Sequence, residues 1–150
     1  MTTQQAVTSF LHNKSIAVAG VSRDKKKFGY VAYKELKNKG YKVFPVNPNV
    51  AEIDSEECYP NLSSIKEKLD GVLLVVPPRQ SEKVVKEANE LGVKSIWFQQ
   101  GSSSEEAVKF CQEKGMLVVS NECIMMFAEP VESFHKFHRW IWKLIGKYPK

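Results

Sequence analysis

Short apolar runs rich in Val and Ile alternate along the chain with stretches in which apolar residues return every three or four positions. The runs are SIAVAG (15–20), YKVFPV (41–46), GVLLVV (71–76), VKSIWF (93–98) and MLVVS (116–120). Runs of this length, bounded by Gly, Pro and Asn, predict strands. SIAVAG and GVLLVV scarcely alternate apolar with polar residues, so both of their faces are expected to be buried, as in a parallel sheet covered by helices on either side. The expected class is α/β, a three-layer, Rossmann-like domain around a five-stranded parallel sheet.

The intervening stretches carry helix punctuation. Phe28, Val31, Ala32 and Leu36 share a helical stripe and Gly40 follows it; Val84, Ala88 and Leu91 repeat the pattern before Gly92. A glycine at that place serves a left-handed C-terminal cap. Before Ala107, Val108 and Cys111, either Ser102 with Glu105 or Ser103 with Glu106 forms a capping-box pattern, and Gly115 closes the segment. A shorter helix is expected around 63–69 and an N-terminal helix over 3–12. At the far end, Phe134, Phe137, Ile141 and Leu144 define a helix over about 131–147, flanked by Trp140 and Trp142. Its expected place is docked on the core, with a dimer or membrane-surface role as the alternative.

Length changes the picture little: 150 residues suit one domain (1–150, core 15–124), and no linker or repeat divides them. The longest apolar run falls far short of the roughly 20 residues of a membrane span, and MTTQQAVTSF lacks the basic and apolar regions of a signal peptide. A cytoplasmic location is expected. Cys58, Cys111 and Cys123 are too few and too widely spaced for a disulfide framework or a paired zinc motif. The net charge of +5 permits an anionic partner without naming one.

Open parallel sheets bind ligands beyond the carboxyl ends of their strands. After the first run comes AGVSRDKKKFG (19–29), small residues and a hydroxyl followed by Lys25, Lys26 and Lys27, with Gly29 where a helix opens. Small residues let backbone amides approach an oxyanion, and the helix terminus and the lysines add positive charge. This is the chemistry of a phosphate loop, although Ser22 stands where the dinucleotide fingerprint requires Gly. The second run ends in Pro45, Val46, Asn47 and Pro48, a rigid rim able to carry an adenine or ribose. It offers no carboxylate to a ribose diol, which is adverse to an NAD(H)-binding regulator or oxidoreductase, the alternative reading. The third run ends at Pro77 and Pro78, an apolar ledge. Gln99, Gln100 and Gly101 follow the fourth, and Asn121, Glu122 and Cys123 the fifth.

Taken in order, AGVS…KFG, FPVNP, CYPNL, VVPP, IWFQQG and NECI resemble the small stand-alone CoA-binding domain proteins, which are similar to the CoA-binding domain of the succinyl-CoA synthetase α subunit. The resemblance runs from about Ser15 to Ile124. It implies coenzyme A or acyl-CoA as ligand, with contacts at Gly20, Val21, Ser22, Lys27 and Gly29, at Val46, Asn47 and Pro48, and at Val76, Pro77 and Pro78. Gln100, Gly101 and Cys123 match the far rim. It supplies no reaction, because the synthetase's phosphorylated histidine lies beyond the matched part and none of His12, His135 or His138 falls in a corresponding motif. Partners are expected to be the CoA ligand, with a homodimer or a CoA-dependent enzyme also open.

The remaining chemistry reads as structural. Cys123 has no sequence-adjacent His to activate it and is expected to be a small buried residue. Glu132, His135 and His138 share a helical face, but one helix rarely completes a metal site. GVSRD lacks the ending of a hydrolase elbow. Trp97 and Phe98 lie in a predicted strand without interleaved basic residues, so nucleic acid is not an expected partner.

Overall fold

The computed structural model describes residues 3–120 and Ile124. Five parallel strands form the sheet: β1 (Ser15–Ala19), β2 (Lys42–Val46), β5 (Gly71–Leu74), β6 (Ser95–Phe98) and β7 (Leu117–Ser120), in the order β2-β1-β5-β6-β7. Helices α1 (Thr3–Leu11), α2 (Phe28–Asn38), α3 (Pro78–Glu90) and α4 (Glu105–Glu113) flank it. The fold is the expected Rossmann-like α/β arrangement.

Strand periodicity sorts the apolar side chains into two layers. Ile16, Val18, Leu73, Trp97 and Val119 pack with α1 and α2 on one face. Ala17, Val72, Leu74, Ile96 and Phe98 pack with α3 and α4 on the other. Each fully buried Leu, Ile or Phe contributes about 1.5–3 kcal/mol, which is why a central strand tolerates no polar position on either face. Phe10 of α1 meets Trp97 edge-on, with ring centroids 5.3 Å apart.

The glycine punctuation acts as expected, through a recurring device. Tyr41, Val93 and Met116 each return an amide to a carbonyl five residues back, on Leu36, Ala88 and Cys111, and Gly40, Gly92 and Gly115 each bond the carbonyl three residues back. Each bonded pair is buried. These are Schellman closures with their apolar contact, and they turn the chain directly into the next strand.

Three expectations need correction. The helix around 63–69 is only a 3-10 turn, Leu62–Ser64, with Asn61 as its cap: its Oδ1 accepts from Ser64 N at 2.9 Å. Glu87 of α3 fixes this turn by accepting from Leu62 N (3.1 Å) and from the Ser63 hydroxyl (2.8 Å), so a tertiary contact replaces helical hydrogen bonds. The cap of α4 is neither Ser102 nor Ser103 but Ser104, whose hydroxyl accepts from Ala107 N at 3.1 Å. The third main strand ends at Leu74, before Val75 and Val76.

A two-stranded hairpin, β3 (Glu52–Ile53) and β4 (Glu56–Glu57), was not expected. Its turn residues Asp54 and Ser55 take φ of +52° and +69°. They are held against α2 by Tyr30, whose hydroxyl donates to Asp54 at 2.8 Å, and by Lys34, 3.1 Å from the same carboxylate. Tyr33 and Lys37 hold Glu56 in the same way. The expected C-terminal helix over 131–147 lies outside the described residues.

Candidate functional site

Read by the main strands alone, the sheet order is 2-1-3-4-5, which reverses direction between β1 and β5. That reversal opens a crevice at the carboxyl ends of these two strands. The segments that meet there are 20–27 after β1 and 75–78 after β5, with the end of β2 on the outer side.

The backbone at this point is interlocked. Gly20 N–H donates to Val46 O at 2.9 Å, and Val75 N–H donates to Ala19 O at 2.8 Å. Gly20 has φ +103°, and a Cβ placed on it would stand 2.1 Å from Val75 O. A Cβ on Gly29 would stand 2.3 Å from Gly20 O. Both glycines therefore let backbone segments of the chain pack against one another. At Gly20 the close neighbour is Val75 of the chain itself.

The loop beyond Gly20 folds on itself. Val21 is fully buried, and its carbonyl accepts from Asn47 Nδ2 at 2.8 Å. Asn47 Oδ1 accepts from Asn49 N at 2.8 Å. Ser22 Oγ accepts from Asp24 N, and Asp24 Oδ1 from Lys26 N, both at 3.0 Å. These are the local side-chain turns that Ser and Asp favour. They leave Arg23, Lys25, Lys26 and Lys27 exposed, and among the described residues none of the three lysines forms an ion pair.

Three helix N-termini differ in how their orphan amides are treated. Lys27 caps α2 without a side-chain hydrogen bond, and the first turn of α2 contains no acid. Pro77 caps α3 and Pro78 begins it, again without a side-chain cap or an acid. At α4, in contrast, Ser104 caps and Glu105 and Glu106 follow. The open first turn and the helix dipole make the α2 terminus favourable to an anion; at α3 Pro78 has no amide hydrogen and Gln80 N–H already bonds Pro77 O at 2.9 Å, so the dipole and the Arg79 amide are what that terminus offers. In chain order α2 follows β1 and α3 follows β5, the two strands that flank the reversal, whereas α4 follows β6.

The other expected site residues divide into two groups. Val46 and Val76 lie beside Gly20, Val46 through its carbonyl and Val76 with a side-chain carbon 3.1 Å from where a Gly20 Cβ would be. Pro48 is exposed beside Asn47. Gln100 and Gly101 lie in an exposed turn beyond β6, closed by Ser102 N donating to Gln99 O at 2.9 Å. The strand order places that turn one strand beyond the crevice. Cys123, with Asn121 and Glu122, lies outside the described residues. Of the remaining thiols, burial pushes Cys111 up to about 12, and burial also raises Cys58 above its ordinary value. Among the described residues no group of three or more His, Cys, Asp or Glu gathers to hold a metal, and no helix is long and apolar enough to cross a membrane.

At this edge the sequence leaves Ser81 unmarked, offers Gln99 only as a residue following the fourth run, and offers Ser102 as a helix cap. Ser102 belongs to a run of three serines, 102–104, in which sequence alone does not distinguish a cap from a buried hydroxyl.

The sequence pattern of a family described as CoA binding domain matches residues 14–129. The chain belongs to that family. Among relatives of this CoA-binding-domain chain, the α subunit of ADP-forming acetate–CoA ligase II of Pyrococcus furiosus is 31% identical over 126 residues, covering 77% of this chain and 28% of the relative. The uncharacterized protein YneT of Bacillus subtilis is 31% identical over 112 residues, covering 75% of this chain and 83% of the relative. The chain thus spans less than a third of the ligase subunit but most of the small bacterial relative. A hypothetical protein from Pyrococcus horikoshii OT3 superposes with a TM-score of 0.79 at 30% identity, over 92% of this chain and 91% of its own. A conserved hypothetical protein from Pyrococcus furiosus gives 0.71 at 39% identity, over 75% and 97%. The resemblance read from the ordered motifs holds.

Proposed function

We propose that this CoA-binding-domain protein binds coenzyme A or an acyl-CoA across the carboxyl edge of its sheet, and that it does so without catalysing a reaction. The observation that carries this reading is the pair of uncapped, acid-free N-termini of α2 and α3, the helices that follow β1 and β5, beside a helix, α4, that has both a cap and acids. CoA carries a pyrophosphate and a 3′-phosphate; the open first turn of α2 beside exposed lysines suits such groups, and the α3 terminus adds its dipole.

In this reading the phosphates lie against the main chain of Gly20, Val21 and Ser22 and the first turn of α2 at Lys27 and Gly29. The rim of Val46, Asn47 and Pro48 takes the adenine or ribose, and Val76, Pro77 and Pro78 form the apolar ledge. Gln100, Gly101 and Cys123 contribute at the far side. Residues 1–150 act as one unit, a cytoplasmic carrier, a sensor or the partner of a CoA-dependent enzyme. The last role is supported by the occurrence of a similar segment within a larger acetate–CoA ligase subunit.

A thermal-shift and calorimetric series with CoA, acetyl-CoA and NADH tests the reading. A ligand that binds only the folded state contributes about 2.7 kcal/mol at 100 times its Kd, so CoA and acetyl-CoA are expected to raise Tm clearly and NADH less. Stabilisation by NADH with none by CoA overturns the ligand assignment. Release of free CoA from acetyl-CoA in proportion to protein, abolished by Cys123→Ala, overturns the non-catalytic part.

A further inference from the structure

Among the described residues, three polar side chains are buried: Ser81, Gln99 and Ser102, with 0%, 5% and 4% exposure. All three lie beneath the carboxyl ends of β5 and β6: the Ser81 side chain bonds the Ser102 main chain, and Gln99 joins Ser102 through its main-chain carbonyl. Ser102 Oγ accepts from Val76 N–H at 3.1 Å, and the Ser81 hydroxyl donates to Ser102 O. Ser102 N–H donates to Gln99 O at 2.9 Å, and Gln99 N–H to Leu74 O at 3.0 Å. Gln99 Oε1 accepts from Ile124 N–H at 3.0 Å.

The cluster stands where the sheet ladder runs out. Alternate residues of a parallel strand address opposite neighbours. Val75 N–H bonds Ala19 O of β1, so Val76 N–H turns toward β6. There the chain has already left the sheet through the turn at Gln100 and Gly101, and Ser102 Oγ supplies the missing acceptor. Pro77 and Pro78 have no amide hydrogen, so Val76 N–H is the last main-chain donor that can anchor the crossing before Arg79. Ser81, in the first turn of α3, ties that helix to the same Ser102 residue.

We infer that the Ser81–Ser102–Gln99 cluster is the positioning device of the candidate site. It holds the Val76–Pro78 crossing and the uncapped first turn of α3 at the height where they face the crevice, and it acts on ligand only through them. The inference rests on the CoA reading. A buried hydroxyl is costly unless fully bonded, and an apolar residue would fill the same space without fixing the Val76 amide. A bonded hydroxyl is therefore what the geometry requires here.

The test is calorimetric titration of the full chain with CoA, at a temperature where every variant is folded, together with amide exchange at Val76 in the free protein. Ser102→Ala is expected to speed exchange at Val76 and to weaken CoA about tenfold, the loss of one well-made buried hydrogen bond. Ser81→Ala is expected to weaken it about threefold. Val93→Ala, a buried position at the opposite end of β6, is the control: it lowers Tm and leaves Kd unchanged. Wild-type affinity in both serine variants overturns the inference. Should Ser102→Ala not fold, Ser81→Ala decides alone. Failure of the wild-type protein to bind CoA is a separate result, which removes the CoA reading and this inference with it.

Discussion

A Cβ on Gly29 would lie 2.3 Å from the carbonyl oxygen of Gly20, so the first turn of α2 rests directly on the end of β1. The two glycines act as a pair. Gly20 lets the chain cross Val75 with a left-handed backbone, and Gly29 lets the helix settle on that crossing. Gly29→Ala is expected to push α2 off the strand and cost about 1–3 kcal/mol. Gly20→Ala meets backbone at 2.1 Å and also an unfavourable φ, and is expected to cost more. Urea denaturation of the two variants checks the order; equal stability of Gly20→Ala and wild type contradicts it.

The loop after β1 makes its own prediction under the proposed CoA reading. Lys27, at the N-cap of α2, is expected to contribute about 1–2 kcal/mol to CoA binding, so Lys27→Ala weakens CoA about tenfold, and the loss shrinks as salt is added. Lys25→Ala and Lys26→Ala should cost less. Dephospho-CoA distinguishes the contact: a smaller loss with that ligand assigns Lys27 to the 3′-phosphate, an equal loss to the pyrophosphate. Unchanged affinity in the triple alanine variant removes the loop from the site.

The hairpin clamp predicts a pH dependence. Hydrogen bonds from Lys37 and then Tyr33 hold the Glu56 carboxyl below its ordinary value of 4.5. A carboxylate depressed in the folded state stabilises above its unfolded pKa, and that stabilisation is lost as pH falls through the folded value. Wild type is therefore expected to exceed Glu56→Gln in stability at pH 7, with the gap beginning to close below about 4.5. Denaturation midpoints measured between neutral and acidic pH provide the check; a gap independent of pH rules out the charged clamp.

Glu87 binds the turn after Asn61 through two backbone amides and one hydroxyl. Glu87→Ala leaves these donors without their acceptor and is expected to cost about 1–3 kcal/mol. Faster amide exchange at Leu62 and Ser63 should accompany the loss. Global destabilisation without local exchange would assign the effect to α3 instead.

Burial pushes the Cys111 thiol up to about 12 and also raises Cys58, so neither supplies thiolate near neutral pH. Of the three cysteines in the chain, no more than one is expected to react rapidly with a thiol reagent in the native state at pH 8. Rapid labelling of Cys111 would show that α4 opens readily.

The repeated unit is legible in the order of residues alone. Five Val- and Ile-rich runs and the glycines at 40, 92 and 115 specify strands and helix ends because both signals are local: burial on two faces removes polar alternation, and a Schellman closure needs one left-handed residue. The ordered motifs also carried the family, since residues that keep their order along the chain are legible without partners. Tertiary structure decided what those residues touch. Only strand order brings Val75 against Gly20 and Asn47 against Val21. Only the end of the β5 ladder turns Ser102 from one of three apparent caps into the acceptor for Val76. Only α3, through Glu87, limits 62–64 to a single 3-10 turn. In each case the deciding partner lies at least 24 residues away in the chain, where neither periodicity nor local spacing reaches.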